Sequence, residues 1–118
     1  MIAVDTNIVV LLLMDDEFPQ EAAARAIFSN AEVCIAKTVI VKTACVLRSV
    51  YGFDANKVSK SIRLLLGLKN VHVEDRGTIH AALALVEAGV EFSDAVHVFS
   101  RQPGSNFQSF DTKVVQRA

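Results

Sequence analysis

The chain has 118 residues, of which 52% are hydrophobic and 21% are charged. This length suits one modest domain with a single core and makes a second domain implausible, and the apolar share excludes intrinsic disorder. Twelve lysines and arginines against thirteen aspartates and glutamates give a net charge of -1 at pH 7. Binding of nucleic acid would therefore need a local basic surface, because the overall charge neither demands nor excludes it. We expect a single domain over residues 1–118.

The cysteines and the N-terminus indicate the compartment. Cys34 and Cys45 are the only two cysteines, and they lie in apolar surroundings without metal-ligand spacing, which predicts small buried side chains and no disulfide. The first apolar run, residues 2–4, follows no basic segment and is interrupted early by Asp5. This pattern fits neither a signal peptide nor a membrane span. We predict a cytoplasmic protein with no membrane contact.

Strands and helices are predicted to alternate along the chain. We expect strands at residues 1–4, 33–35, 71–73 and 106–110. We expect helices at residues 6–14, 20–29, from a Thr38 cap to residue 50, from an Asp54 cap to about residue 66, and at residues 75–88 and 92–100. An acidic break at residues 15–17 with Pro19 ends the first helix, and Gly52 and Gly89 end two others. This alternation favours a parallel sheet covered on both faces.

Aspartates follow the apolar runs at both ends of the chain. Asp5-Thr6 follows residues 2–4, Asp111-Thr112 follows residues 107–110, and Asp94 opens an apolar stretch between them. If both runs are parallel strands, their aspartates lie at the carboxyl edge of the sheet, where ligands bind. Taken alone, each acid is explained better by a position at a helix N-terminus than by metal binding. Together they indicate Mg2+ or Mn2+, because such hard cations prefer carboxylate oxygens.

Three segments, in this order, resemble the acidic motifs of PIN-domain nucleases: residues 4–7 (Val-Asp-Thr-Asn), 92–97 (Phe-Ser-Asp-Ala-Val-His) and 109–111 (Ser-Phe-Asp). Residues 39–53 are similar to the VapC-type toxins of bacterial toxin–antitoxin modules. The resemblance covers essentially the whole chain. It implies one three-layer α/β/α PIN-like domain with a central parallel sheet of about four to five strands. It also implies a metal-dependent endoribonuclease.

The resemblance implies that Asp5, Asp94 and Asp111 are catalytic and bind Mg2+ or Mn2+. It also exposes a departure, since Lys42 stands where the family has a fourth, metal-binding glutamate. Among its helical neighbours, Lys42 projects from a largely apolar face, so it either extends to solvent or is a buried ammonium that needs a carboxylate partner. Our hypothesis is that its ammonium occupies part of the metal site and weakens both cation binding and RNA cleavage.

Other polar residues are candidates for supporting roles. Thr6, Asn7 and Ser109 adjoin the acids and are candidates to hold them, or a bound water, by hydrogen bonds, although roles as caps and turn residues explain them equally well. Lys57, Lys60 and Arg63 recur at helical spacing and form a basic face that would neutralise RNA phosphates. Arg48 is a further candidate RNA contact by resemblance, and as a helix residue it is explained equally well by solvation or by an acidic partner.

The first helix predicts a partner. Residues 8–14 are apolar around the whole circumference, so one side should bury against the sheet and the other against a second chain. By resemblance, such proteins form homodimers and are capped by an antitoxin protein.

Two other functions remain open. A PIN-fold protein that has lost catalysis would bind RNA or an antitoxin without cleaving RNA, and Lys42 is the feature that favours it. A receiver-like phospho-acceptor module also combines several acids with a lysine in a parallel α/β domain. It needs adjacent acids after the first strand and an acceptor at the end of a middle strand, whereas Asp5 stands alone and Asp54 follows no clear strand.

Overall fold

The computed structural model of the protein describes residues 1–14 and 19–111, with Pro19 described for its backbone alone. The predicted acidic break at residues 15–17 and Thr112 lie outside the described residues. The chain divides into two compact units, Met1–Glu74 and a second that begins at Asp75. None of the described helices is long and apolar enough to cross a membrane.

The described residues are mostly helical. The first unit contains β1 (Ile2–Ala3), α1 (Thr6–Leu13), α2 (Pro19–Asn30), β2 (Val33–Ile35), α3 (Lys37–Ser49), α4 (Ala55–Leu66) and β3 (Val71–Val73). The second unit contains α5 (Arg76–Glu87) and α6 (Phe92–Phe99). Every predicted element except the last strand is therefore present, with its ends within a few residues of the prediction.

The three strands form a parallel sheet in the order β1-β2-β3. Ile2 lies beside Val33, and Val33 lies beside Val71. The ladder begins at hydrogen bonds of 2.8 Å from the Ile2 N–H to the Glu32 carbonyl and from the Val33 N–H to the Asn70 carbonyl. Because all three strands run in the same direction, their carboxyl ends meet at one edge of the sheet.

The predicted fold class is wrong. Among the residues that the structure describes, the sheet has three strands rather than four to five, and they form no PIN-like three-layer domain around such a sheet. Residues 106–110 form no strand. Phe107 and Phe110 lie three positions apart, so in a strand they would point to opposite faces, and Phe110 is fully exposed. The Ser109 hydroxyl accepts a hydrogen bond of 3.0 Å from the Asp111 N–H, and such local bonding competes with a strand ladder.

Helix packing builds the core of each unit. In the first unit α1 packs against α2 and α3, α3 against α4, and α4 against β3. The largest fully buried side chains of this unit include Ile35, Ile40, Leu47, Ile62 and Leu65, and burial of each stabilises the fold by about 1.5–3 kcal/mol. In the second unit α5 packs against α6, with Leu83 and Ala95 fully buried.

Two predictions about α3 need correction. Cys45 was expected to be buried, but it is exposed, as are Lys42 and Arg48 of the same helix. Cys34 on β2 was also expected to be buried and is half-buried. Both thiols are free. The expected cap Thr38 lies inside the helix. The cap position is Ala36, which makes no side-chain hydrogen bond to the helix.

The carboxylate of Glu74, the residue after β3, takes the place of the missing cap. The Glu74 N–H donates a hydrogen bond of 2.9 Å to the Ile35 carbonyl and thereby extends the sheet ladder by one residue. Its Oε1 then accepts a hydrogen bond of 2.8 Å from the Lys37 N–H, the first of α3. The negative charge also opposes the positive end of the helix dipole. Glu74 therefore joins the edge of the sheet to the helix that carries Lys42.

We predict that Glu74→Ala lowers the free energy of unfolding by about 1 kcal/mol, because α3 loses both an acceptor and a favourable charge at its N-terminus. Glu74→Gln keeps an acceptor oxygen and should lose clearly less. Urea denaturation followed by circular dichroism measures both variants against the unmodified chain. Equal stability of the alanine variant and the unmodified chain would contradict the capping role.

Candidate functional site

Asp5 lies two residues after β1 and is the N-cap of α1, as predicted. Its Oδ1 accepts a hydrogen bond of 2.6 Å from the Thr6 N–H. Its backbone carbonyl accepts from the N–H groups of Ile8 and Val9 at 3.2 and 3.3 Å. The carboxylate therefore lies at the positive end of α1, and the helix compensates part of its charge. The side chain remains exposed.

Lys42 lies in the second turn of α3 and is exposed. The opposite face of the helix is buried through Ile40, Thr43, Ala44 and Leu47. Of the two interpretations of Lys42 left open by the sequence, extension to solvent is confirmed and the buried ammonium is wrong. Among the residues that the structure describes, no salt bridge joins Lys42 to a carboxylate.

Asp5 and Lys42 line one pocket of about 580 Å³ in the first unit. The pocket is lined by Asp5, Thr6, Asn7, Ile8, Val10, Leu11, Gln20, Lys42, Val46 and Tyr51. The apolar lining side chains come from α1 and α3, while the polar groups are a carboxylate, an ammonium, two amides, a hydroxyl and a phenol. The fold thus brings the first predicted acid and the substituted position to the same cavity.

Tyr51 and Gln20 were not identified from the sequence as site residues. Tyr51 has 47% of its surface exposed and follows α3. The chain turns immediately after it at Gly52, whose φ of +69° favours glycine, and the Phe53 N–H then donates to the Leu47 carbonyl at 2.9 Å. The glycine stop predicted the end of the helix, whereas nothing local indicated that Tyr51 and Gln20 reach the same pocket as Asp5.

The residues predicted to support the acids make local contacts. The backbone N–H of Thr6, rather than its hydroxyl, donates to Asp5. Asn7 is exposed and lines the pocket. Ser109 accepts from the backbone of Asp111, as a turn residue does. The Ser109 bond thus agrees with a turn role, whereas the Thr6 bond is the backbone contribution to the Asp5 cap.

Asp94 and Asp111 belong to the second unit. Asp94 is half-buried in the first turn of α6, a position that favours a negative charge. Asp111 is exposed and follows an irregular segment rather than a strand. Their roles as metal ligands stay predictions.

The predicted basic face is present on α4. Lys57, Lys60 and Arg63 are exposed, and Val58 and Ile62 are buried on the other side of the helix. The Lys57 ammonium lies 4.1 Å from the centre of the Phe53 ring, a favourable cation–π contact. Arg48 is exposed in the last turn of α3, and Arg48 and Arg63 each have an interaction partner.

The pocket alone does not fit a hard divalent cation. Such an ion needs several oxygen ligands and a negative surrounding, but the pocket offers one carboxylate, which already accepts from the helix, and adds an ammonium. Within the described part of either unit taken by itself, no three His, Cys, Asp or Glu side chains are arranged to hold a metal ion.

Comparisons of the chain with protein-family models, curated proteins and solved structures gave no match. The resemblance to ribonuclease toxins therefore rests on the motifs in the sequence.

We predict that replacing Lys42 by glutamate strengthens Mn2+ binding at least about tenfold, because reversal of one unit charge near a dication changes the interaction by more than about 1 kcal/mol even in water. Lys42→Gln removes the positive charge without adding a ligand and should be intermediate. Isothermal titration calorimetry with Mn2+ measures all three proteins. The hypothesis is wrong if the unmodified chain binds Mn2+ as tightly as Lys42→Glu.

Proposed function

We propose that this protein binds RNA and is a toxin-type endoribonuclease whose metal-dependent cleavage is strongly weakened by Lys42. One observation carries the proposal: Asp5 and Lys42 line the same pocket, where the resemblance implies two carboxylates. The pocket thus holds the first predicted acid, but the second charged group in it is an ammonium rather than a carboxylate.

The charge reversal affects binding and catalysis differently. A divalent ion in a nuclease offsets negative charge on the phosphate and lowers the pKa of a bound water. An ammonium also offsets phosphate charge, but it repels the ion that would activate the water. Lys42 therefore preserves attraction for RNA while it disfavours hydrolysis.

The basic face of α4 supports RNA as the partner. Residues Ala55–Leu66 carry three cations and no acid, although the whole chain has a net charge of -1. Such a face would contribute to the local basic surface that RNA binding requires, and its contribution would fall with added salt.

The proposal includes a homodimer and an antitoxin partner. It is supported by α1, of which Val9 and Val10 are buried while Leu12 and Leu13, outside the pocket lining, remain half-buried. An apolar helix surface of this kind favours a covering chain. The two free thiols fit the cytoplasmic location predicted from the sequence, because free thiols persist in a reducing compartment.

A second candidate is an RNA- or antitoxin-binding protein with no residual cleavage. The same pocket favours it, since the pocket holds a single carboxylate. A receiver-like module is not proposed, because Asp54 caps α4 through a hydrogen bond of 2.8 Å from the Lys57 N–H and follows no strand.

Cleavage of structured RNAs tests the proposal. With Mn2+ present, Lys42→Glu should cleave at least about 100-fold faster than the unmodified chain, which corresponds to about 2.7 kcal/mol of barrier. Lys42→Gln is the matched control, because it removes the ammonium without supplying a carboxylate, and it should gain much less. Chelation of the metal should abolish the gained activity.

Two further variants test the predicted acids. Asp94→Asn and Asp111→Asn, each introduced into Lys42→Glu, should remove the gained cleavage while leaving the circular dichroism spectrum unchanged. The nuclease proposal fails if Lys42→Glu binds RNA but cleaves no faster than Lys42→Gln. That result would favour the binding protein.

A further inference from the structure

We infer that the Lys42 ammonium binds an RNA phosphate directly, so that RNA occupies the pocket between α1 and α3 without a divalent metal. The inference rests on the proposed RNA partner. The inference goes beyond the proposed function because it names the side chain that contacts the RNA, the phosphate that this side chain holds, and binding that requires no metal.

The first step concerns the charge that the pocket presents. The Asp5 carboxylate already accepts a hydrogen bond of 2.6 Å from the Thr6 N–H at the start of α1. The Lys42 side chain is exposed and makes no hydrogen bond or ion pair with the described residues of the first unit. The formal charges of Asp5 and Lys42 balance, but the carboxylate is engaged by the N-terminus of α1, so the ammonium is the charged group left available to a ligand, and it attracts an anion.

The second step concerns size and shape. A volume of about 580 Å³ falls within the range of about 300–1,000 Å³ that small organic ligands occupy in proteins. The exposed Tyr51 ring offers a flat surface on which a base would stack. Asn7 and Gln20 add amide donors and acceptors on the same lining. The pocket thus combines a cation for the phosphate with an aromatic surface for the base.

An acidic segment of a partner protein is the competing occupant, because a carboxylate would also pair with Lys42. The phenol and the two amides favour a nucleotide, since together they address a base as well as an anion. The basic face of α4 gives the same chain further phosphate contacts.

The test measures binding of a fluorescently labelled single-stranded RNA by anisotropy, with EDTA and with Mg2+. The unmodified chain should bind equally well in both. Lys42→Gln should bind about tenfold more weakly, and the slope of log affinity against log salt should decrease by about 0.7 to 1. Lys69→Gln is the matched control, since it removes one exposed lysine outside the pocket lining.

Tyr51 provides a second measurement. Tyr51→Ala should weaken RNA binding about fivefold or more relative to the unmodified chain, because stacking on one base is lost. Tyr51→Phe keeps the aromatic ring and should bind RNA about as tightly as the unmodified chain. Lys42 and Tyr51 are both exposed, so these variants should fold, and circular dichroism checks this.

Each outcome decides one point. RNA binding that needs Mg2+ overturns the inference and leaves the proposed RNA partner standing, as does equal affinity of Lys42→Gln and Lys69→Gln. If the unmodified chain binds no RNA under either condition, both are overturned, and binding of an acidic peptide that is lost in Lys42→Gln would then identify the occupant as protein.

Discussion

The parallel ladder of β1, β2 and β3 is the constraint on which the rest of the first unit depends. Parallel pairing places the ends of all three strands at one edge, and the links to the next helices are very short: α1 begins at Thr6, three residues after β1, and α3 begins at Lys37, two residues after β2. Both helices therefore start from the same edge of the sheet. A pocket between α1 and α3 follows from this arrangement, whatever side chains line it.

Asp5 and Glu74, the two acids that cap helices at this edge of the sheet, stabilise different parts of the structure. Asp5 caps the helix that follows it in sequence, whereas Glu74 caps a helix that begins 37 residues earlier in the chain. The first bond stabilises a local element and the second fixes α3 to the end of β3. Because both carboxylates accept from helix N–H groups, neither is a purely solvated charge. Lys42 differs in that its charge has no partner among the described residues, which makes it the group that most strongly selects what enters the pocket.

The sequence predicted the elements whose signals are local. The strand at residues 33–35, the Asp54 cap and the stop at Gly52 agree with the structure because short-range patterning and capping determine them. Two predictions failed because they depended on distant groups. The cap of α3 comes from Glu74. A short segment such as residues 106–110, in which only Phe107 and Phe110 are apolar, becomes a strand only when a neighbouring strand pairs with it. The candidate site shows the same difference between local and distant signals. Asp5 was predicted from its local sequence as the residue that caps α1, whereas the presence of Gln20 and Tyr51 in the pocket results from helix packing alone.

The chemistry of the pocket depends on one side chain more than on the fold. The buried face of α3 is apolar except for Thr43, whose hydroxyl donates to the Val39 carbonyl at 2.7 Å within the helix. Because residue 42 is exposed, the packing of α3 does not depend on which side chain it has. A glutamate or a lysine there is compatible with the same core. The side chain at position 42 can therefore change its charge without a change in the buried face of α3. Under the proposed function, this independence would allow an RNA-binding cavity to persist where metal binding is disfavoured.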